Sequence, residues 1–496
     1  MSLEVLGVVA VVVYLVALLV VAEAARRARR DDSPSDHFLA ARELGTPVLF
    51  LTLYATAYSG NSLLGYPGRA YVSGFSFVMA TGFMLSIVVV FHALVPRLRP
   101  LAVVHAFVTP GDWIRHRFGV DGLQPGRETG RAATALATCV GLLMTLALLN
   151  FLLAQLKAMG HVASIMTGDL LPYEVGVVGL AGLILLYETR GGMRAVAWTD
   201  AAQGVLMLFG LAALLSWLLG QAGGVGGVTR AVAAVRPEAV AVPDARSCAS
   251  WFSTIVLLGL ASVIYPQAIQ RIYAARDARA LRRSFALMSF MPLVTTLVVT
   301  LIGLAAIPRL QGLERVATDE VMPRLLGQWA EGGGGVATAG AVLVFVGVLA
   351  AIMSTADSCL LSLGSLTARD LLPSSARGQE SARRGKWLAA LLLLAMVPLA
   401  LWRELTLWRL IELKMELLIQ CVPAFLLALH WRGLRAAPTL AGLVAGTCFG
   451  VGFTVAGIPR MGGIHVGVLG LAVNLAVAVA GSLLPPRSGG ASGAVR

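Results

Sequence analysis

The sequence is short of charge. Asp, Glu, Lys and Arg together make up 13% of its 496 residues, against about 25% in soluble domains. So few charged groups cannot cover a water-facing surface, which excludes the string of soluble domains that the length alone would allow. Cysteine is also sparse. The five present follow no metal-ligand spacing, and only Cys248 falls in a segment expected outside the cell, so an extracellular disulfide within the chain lacks its second thiol. None of the seven histidines stands four residues from another with a glutamate between them, which removes the zinc-hydrolase pattern. The run Gly332 to Gly335 is not followed by the Lys-Ser/Thr of a phosphate-binding loop and reads as a linker. With no nucleophile and base in a recognisable pairing, enzymatic chemistry has no residues to rest on.

What the chain has is apolar length. Hydrophobic residues make up 57%, and runs of about 17 to 25 residues suffice to cross about 30 Å of hydrocarbon. Thirteen such runs are centred near Tyr14, Ser59, Leu85, Met144, Leu180, Leu206, Leu260, Val298, Ala350, Leu393, Ile419, Ala445 and Leu471. With the amino terminus outside and strict alternation, the 39 Lys and Arg divide into 27 inside, 11 outside and Lys414 within a span. That bias marks cytoplasmic loops. The inside clusters, Arg26 to Arg30, Arg97 to Arg131, Arg271 to Arg283 and Arg369 to Lys386, each follow an odd-numbered span. The net charge of +13 is therefore a topology signal beside anionic lipid and not a nucleic-acid footprint. Ala22-Glu23-Ala24 resembles a signal cleavage site, but Glu4 precedes the apolar core and four arginines follow it, the reverse of a signal peptide.

These features predict an all-α polytopic membrane protein with one transmembrane domain over 1–496, in the cell (inner or plasma) membrane, with the carboxyl terminus cytoplasmic. A first helix at 3–24 precedes one five-helix block over about 45–219 and a second over about 251–430; extra helices occupy about 437–484, and a Gly/Ser-rich tail at 485–496 is expected to be disordered. Segments 220–250 and 308–335 are long enough for small helices or lids.

Polarity interrupts two spans. The second reads Tyr54-Ala-Thr-Ala-Tyr-Ser-Gly-Asn-Ser-Leu-Leu-Gly-Tyr-Pro-Gly68, and the seventh carries Pro266 within Ser262-Val-Ile-Tyr-Pro-Gln267. Proline removes a helical bond and clashes with the preceding turn, and irregular backbone at membrane depth survives only where protein or a water-filled cavity satisfies it. The two interrupted spans begin five spans apart, an odd number, so the two five-helix blocks are inverted relative to each other. Paired, interrupted spans point to a transporter's central site; two proline-kinked helices that merely pack are the plainer alternative.

Between spans five and six the chain reads Tyr187-Glu-Thr-Arg-Gly-Gly-Met-Arg-Ala-Val-Ala-Trp-Thr-Asp-Ala-Ala-Gln203. This resembles the signature of the sodium:solute symporter family, whose members carry sugars, amino acids, vitamins and anions on the LeuT-type fold. Further likenesses lie in Ser59-Gly60 through Gly65-Tyr-Pro-Gly68, in Pro266-Gln267 to Arg271, and in Ala350-Ala-Ile-Met-Ser-Thr-Ala-Asp-Ser358 with Arg369-Asp370. They follow the family's order over roughly residues 35 to 455.

The resemblance implies a sodium ion, the transported cation, held by the carbonyls of Ala55, Tyr58 and Ala351 and the hydroxyls of Ser354 and Thr355; no organic cofactor is implied. Hard oxygens of that kind replace a cation's water without adding net charge, although hydroxyls on a helix also bond back to the preceding turn. The implied solute site lies between spans two and seven, at Ser59, Gly60, Asn61, Ser62, Ser262, Tyr265 and Gln267. Asp357, one turn beyond Ser354, has three open readings: a second cation site, a proton-binding group, or an ion-pair partner. Asp200 either caps or pairs with Arg194 or shares in ion coupling. In span eleven Glu412 and Glu416 share a face while Lys414 points elsewhere; these charges either gate the route to the site or form ion pairs with Arg403, Arg409 or a neighbouring helix.

The function expected is sodium-coupled uptake of a small polar organic solute by alternating access. The partners are the solute, sodium and the lipid bilayer, with no nucleic acid and no obligatory protein partner. A proton-coupled transporter using Asp357, and a solute sensor with little transport, are the alternatives.

Overall fold

The structure is a computed structural model that describes all residues except 1–2, 29–32, 121–129, 333, 372–378, 403–405 and 485–496. The tail expected to be disordered and Arg403 therefore lie outside the described residues. Helices make up nearly all of the rest. In chain order they are α1 (Leu3–Arg27), α2 (Pro34–Leu39), α3 (Thr46–Ala57), α4 (Tyr66–Ser73), α5 (Met79–Val104), α6 (Pro110–Phe118) and α7 (Arg131–Met166). There follow α8 (Tyr173–Ala222), α9 (Gly224–Val235), α10 (Ala245–Ser262), α11 (Pro266–Ala274), α12 (Ala278–Met288), α13 (Leu297–Ala306) and α14 (Val321–Gly332). The last are α15 (Gly334–Leu366), α16 (Gln379–Leu401), α17 (Leu407–Leu418), α18 (Ala428–His430), α19 (Ala436–Val455) and α20 (Val466–Leu483), with a short hairpin pairing Arg460–Met461 with Ile464–His465 before α20.

Among the described residues nine helices are long and apolar enough to cross a membrane, and a tenth is formed if α10 and α11, bent by 50° at their junction, make one span. The other three predicted centres fall where a single long helix does not form. Ser59 sits in the break after α3, Leu180 in the short apolar stretch Tyr173–Leu185, and Ile419 just past the twelve residues of α17. Interruption explains each case. Tyr58 leaves helical geometry (φ −106°, ψ 82°) and ends α3. Gly192 takes φ +63° and ψ −165° inside α8, a conformation open to glycine and closed to side chains with a Cβ, and so divides that element into two arms.

Local chemistry sets several boundaries. Thr109 and Asp112 close a reciprocal capping box at the start of α6. Asp244 accepts from Ser247 N at 2.8 Å to start α10, and Asp277 accepts from Ala280 N at 2.7 Å to start α12. The segments expected to hold small helices do so, as α9 and α14. At the centre α15 packs along α8 and α7, and α8 packs on α1 and α3. Residues 347–368, which include the last turns of α15, are buried without exception.

Two glycines bring helix backbone directly against neighbouring backbone. A Cβ on Gly68 of α4 would lie 2.2 Å from the Thr318 carbonyl oxygen, and one on Gly303 of α13 would lie 2.3 Å from that of Pro67. Backbone atoms cannot step aside as a side-chain tip can. We expect Gly68→Ala and Gly303→Ala each to destabilise the protein by about 1–3 kcal/mol, the usual cost of overpacking, seen as a lower midpoint of thermal unfolding; midpoints equal to wild type would contradict this packing.

Candidate functional site

The site forms where two helices fail to continue. After α3 stops at Ala57, the chain passes through Tyr58 and Ser59 and re-enters helix by a π-turn over Asn61–Gly65. The Ser59 carbonyl accepts from Ser62 N at 2.8 Å and Leu63 N at 3.1 Å, which starts the new turn. The second break lies between α10 and α11, where Pro266 has no N–H to offer and the chain bends. Wide turns of the π type concentrate at functional sites.

A cavity of about 80 Å³ lies between the two breaks. One water takes about 10 to 15 Å³ of such space, so several would fit. Of the expected solute residues, Ser59, Asn61, Ser62, Ser262 and Tyr265 line it. Gly60 and Gln267 stand off its wall. Gly60 is a close-packing point instead, since a Cβ there would lie 2.6 Å from Ile352 and 2.8 Å from Gln155. Gln267 is buried, and its carbonyl accepts from Arg271 Nη1 at 3.0 Å. Lys414 from α17 and Phe151 from α7 complete the polar end, while Met84, Val88, Phe91, Phe285 and Met288 make an apolar wall.

Phe151 was missed in the sequence because it sits in an apolar run, yet it stacks on Tyr265 with centroids 5.4 Å apart. Gln155 left a better signal, as one of two amides, with Asn150, in that run. Its Nε2 donates to the Phe151 carbonyl at 3.2 Å and reaches Asn61 Oδ1 at 3.4 Å.

Beside the first break, Ala351, Ser354 and Thr355 are buried on α15, which packs against α3, the helix of Ala55. Asp200 of α8 is fully buried there and accepts from Ser354 Oγ at 2.5 Å, from Arg271 Nη2 at 2.7 Å and from Thr52 Oγ1. Arg271 also donates to Thr52 Oγ1 at 2.7 Å and to Ser358 Oγ at 2.5 Å. The partner expected for Asp200, Arg194, is engaged elsewhere, with Asp36 at 2.9 Å and Glu43 at 3.3 Å. The correction has a geometric cause: the break at Gly192 carries Arg194 toward α2, while Arg271 on α11 reaches across the bundle interior. The side chains of Tyr187, Glu188, Thr189 and Arg190 lie outside the described residues. Asp357 is fully buried on α15, off the cavity wall.

Span eleven separates its charges by face. Glu412 accepts from Arg460 Nη2 at 2.5 Å, Trp408 Nε1 at 2.9 Å and Arg409 Nη1 at 3.1 Å. Glu416 accepts from Thr454 Oγ1 at 2.9 Å and stands 3.6 Å from His465 Nδ1 and 3.9 Å from Arg409. Lys414 is on the other face, in the cavity wall. A second cavity, of about 310 Å³, lies over Arg69, Trp408, Arg409, Glu412 and Arg460. Its edge includes Asp319, whose carboxylate accepts from Leu407 N at 2.8 Å and so caps α17 from the 308–335 segment. Burial pushes the Asp319 carboxyl up to about 7, with the Leu407 N–H opposing the rise. At the far end of α15, Asp370 accepts from Thr109 Oγ1 at 2.9 Å, and Arg369 stands 3.4 Å from Asp112, tying α6 to α15.

Two broken helices around one cavity, in a nearly all-helical apolar bundle, define a membrane transporter with a LeuT-like fold. The chain belongs to the sodium:solute symporter family, whose model matches residues 37–446. It is 26% identical to the sodium/pantothenate symporter of Escherichia coli (strain K12), over 90% of this chain and 89% of that one. It is 25% identical to the high-affinity proline transporter PutP of Bacillus subtilis (strain 168), over 84% and 86%. Among solved structures it matches the substrate-bound, outward-open state of a Na+-coupled sialic acid symporter with a TM-score of 0.75 at 17% identity, covering 96% of this chain and 97% of that one. The nucleobase-cation-symport-1 transporter Mhp1 matches with a TM-score of 0.53 at 15% identity, covering 90% and 94%. The family and the pantothenate relative are sodium symporters by name, which supports a sodium-coupled transporter of the plasma membrane.

Two outcomes follow from the site's electrostatics. Arg271→Met leaves Asp200 buried without its cation and should cost about 3–5 kcal/mol; Arg271→Met with Asp200→Asn should cost less, a difference read from thermal unfolding of both variants. Asp319 titrates higher folded than unfolded, so its contribution to stability is complete below about pH 4 and is lost as pH rises to about 7. Over that window the unfolding midpoint of wild type should fall relative to that of Asp319→Asn, whose amide oxygen can still cap α17; parallel profiles would refute the assignment.

Proposed function

We propose that the chain carries a small polar organic solute into the cell with sodium by alternating access, the solute lying in the cavity between the two helix breaks. The observation that carries the ion site is at Thr355. Its hydroxyl is buried with no hydrogen-bond partner among the described residues, an expensive state unless something else takes the oxygen's lone pairs. The hydroxyl of Ser354 gives its proton to Asp200, which leaves only lone pairs for a further partner. Both oxygens thus suit a cation. The carbonyls of Ala55, Tyr58 and Ala351 supply the remaining ligands, those of Ala55 and Tyr58 from the end of α3 where the helix gives way. Asp200 acts through Ser354 as a positioning residue.

Sodium bound between α3 and α15 holds the first break closed and orders Ser59, Asn61 and Ser62 for the solute. Low sodium inside releases the ion, and the loosened break releases the solute, a population shift set by differential binding. The positive-inside count supports thirteen spans with the amino terminus outside and the carboxyl terminus inside. Inverted five-helix blocks over about 45–219 and 251–430 fit the paired breaks at Tyr58 and Val263–Tyr265.

Thermal unfolding across a sodium series, with potassium or choline holding ionic strength, tests this without a solute. Sodium at a hundredfold excess over its Kd should add about 2.7 kcal/mol to stability, and Ser354→Ala with Thr355→Ala should abolish the effect. A wild-type midpoint indifferent to sodium, or a rise that survives in the double variant, would sink the ion site.

A further inference from the structure

We infer that the transported solute is an organic monocarboxylate with a compact apolar body, and that Lys414 receives its carboxylate. The inference rests on the transport reading above and adds the solute's chemical class. Lys414 is 2% exposed, and its Nζ stands 3.2 Å from the centroid of the Phe151 ring and 5.6 Å from that of Tyr265. Aromatic faces attract an ammonium, but they do not neutralise it. The two carboxylates on its own helix are turned away, Glu412 to Arg409 and Arg460, Glu416 to Arg409 and His465. Asp200 is taken by Arg271. Among the described residues no carboxylate lies within ion-pair distance of Lys414, and none lines the cavity. An ionisable group inside a span is costly and marks function.

The groups around it match one kind of ligand. Lys414 has only donors to give. The Asn61 amide nitrogen and the Tyr265 hydroxyl are buried without hydrogen-bond partners among the described residues, and both line the same cavity. A cluster of donors beside a cation suits a carboxylate. The opposite wall of Met84, Val88, Phe91 and Phe285 offers nothing to a polar tail and much to an apolar one. A zwitterionic amino acid would bring a second ammonium into a cavity whose wall holds no carboxylate. A polyhydroxylated neutral solute would leave Lys414 uncompensated and place hydroxyls against hydrocarbon.

The test uses the purified full chain in saturating sodium, following thermal unfolding with 4-methylpentanoate and benzoate, with the primary amide of each, with proline and with iodide. Carboxylates should raise the midpoint and their amides, proline and iodide should not. In Lys414→Met the apparent affinity for the effective carboxylate should fall about 10- to 100-fold, the weight of a hydrogen bond to a charged group, with partial recovery in Lys414→Arg. The sodium shift recorded on the same samples shows that each variant is folded and reports the ion site separately. No carboxylate effect in wild type, amides or proline acting as strongly, or a carboxylate effect that survives Lys414→Met would each overturn the inference. A carboxylate effect lost in Lys414→Met, in a wild type whose midpoint does not respond to sodium, would uphold the solute class while defeating the sodium-coupled reading.

Discussion

Four helices meet at the buried pair of Asp200 and Arg271. Thr52 comes from α3, Asp200 from α8, Arg271 from α11, and Ser354 and Ser358 from α15, all within hydrogen-bond distance of one carboxylate or one guanidinium. Each charge taken alone would be costly to bury. Together, and with three hydroxyls bonded to them, they form a polar node inside the bundle. α3 ends at one break and α11 begins at the other, so the node ties together the two helices that flank the cavity.

The charges of α17 follow the same rule in another form. Its two glutamates face arginines and a histidine from the hairpin region and from their own helix, and Glu416 accepts from Thr454 of α19, so their face is a structural clamp. Among the described residues the lysine between them faces aromatic rings and no carboxylate. One helix thus carries a settled electrostatic side and an unsettled one, and the unsettled one looks into the cavity.

Much of this was legible because it depends on local chemistry. A proline at 266 and the polar run from Tyr54 to Gly68 announce breaks without any tertiary knowledge, and four-residue spacing alone separates Glu412 and Glu416 from Lys414. The signature from Tyr187 to Gln203 carries the family. What escaped depends on contacts between distant parts of the chain. Asp200 and Arg271 are 71 residues apart, and the nearer Arg194 was the more obvious partner until the turn at Gly192 is known. Asp319 caps a helix 88 residues away, and no periodicity reports that. Phe151 carries no mark that separates a cavity wall from a lipid face.

Where Gly68 meets Thr318 and Gly303 meets Pro67, backbone lies directly on backbone. Helices separated by side chains can slide by changing rotamers, but this contact has no such cushion. α4, α13 and the turn holding Thr318 must then travel as one piece, and the freedom denied there is displaced along the chain. The backbone between that piece and α3 leaves regular helix at Tyr58 and again in the wide turn that follows, so these residues are the ones placed to accommodate any relative movement of the two.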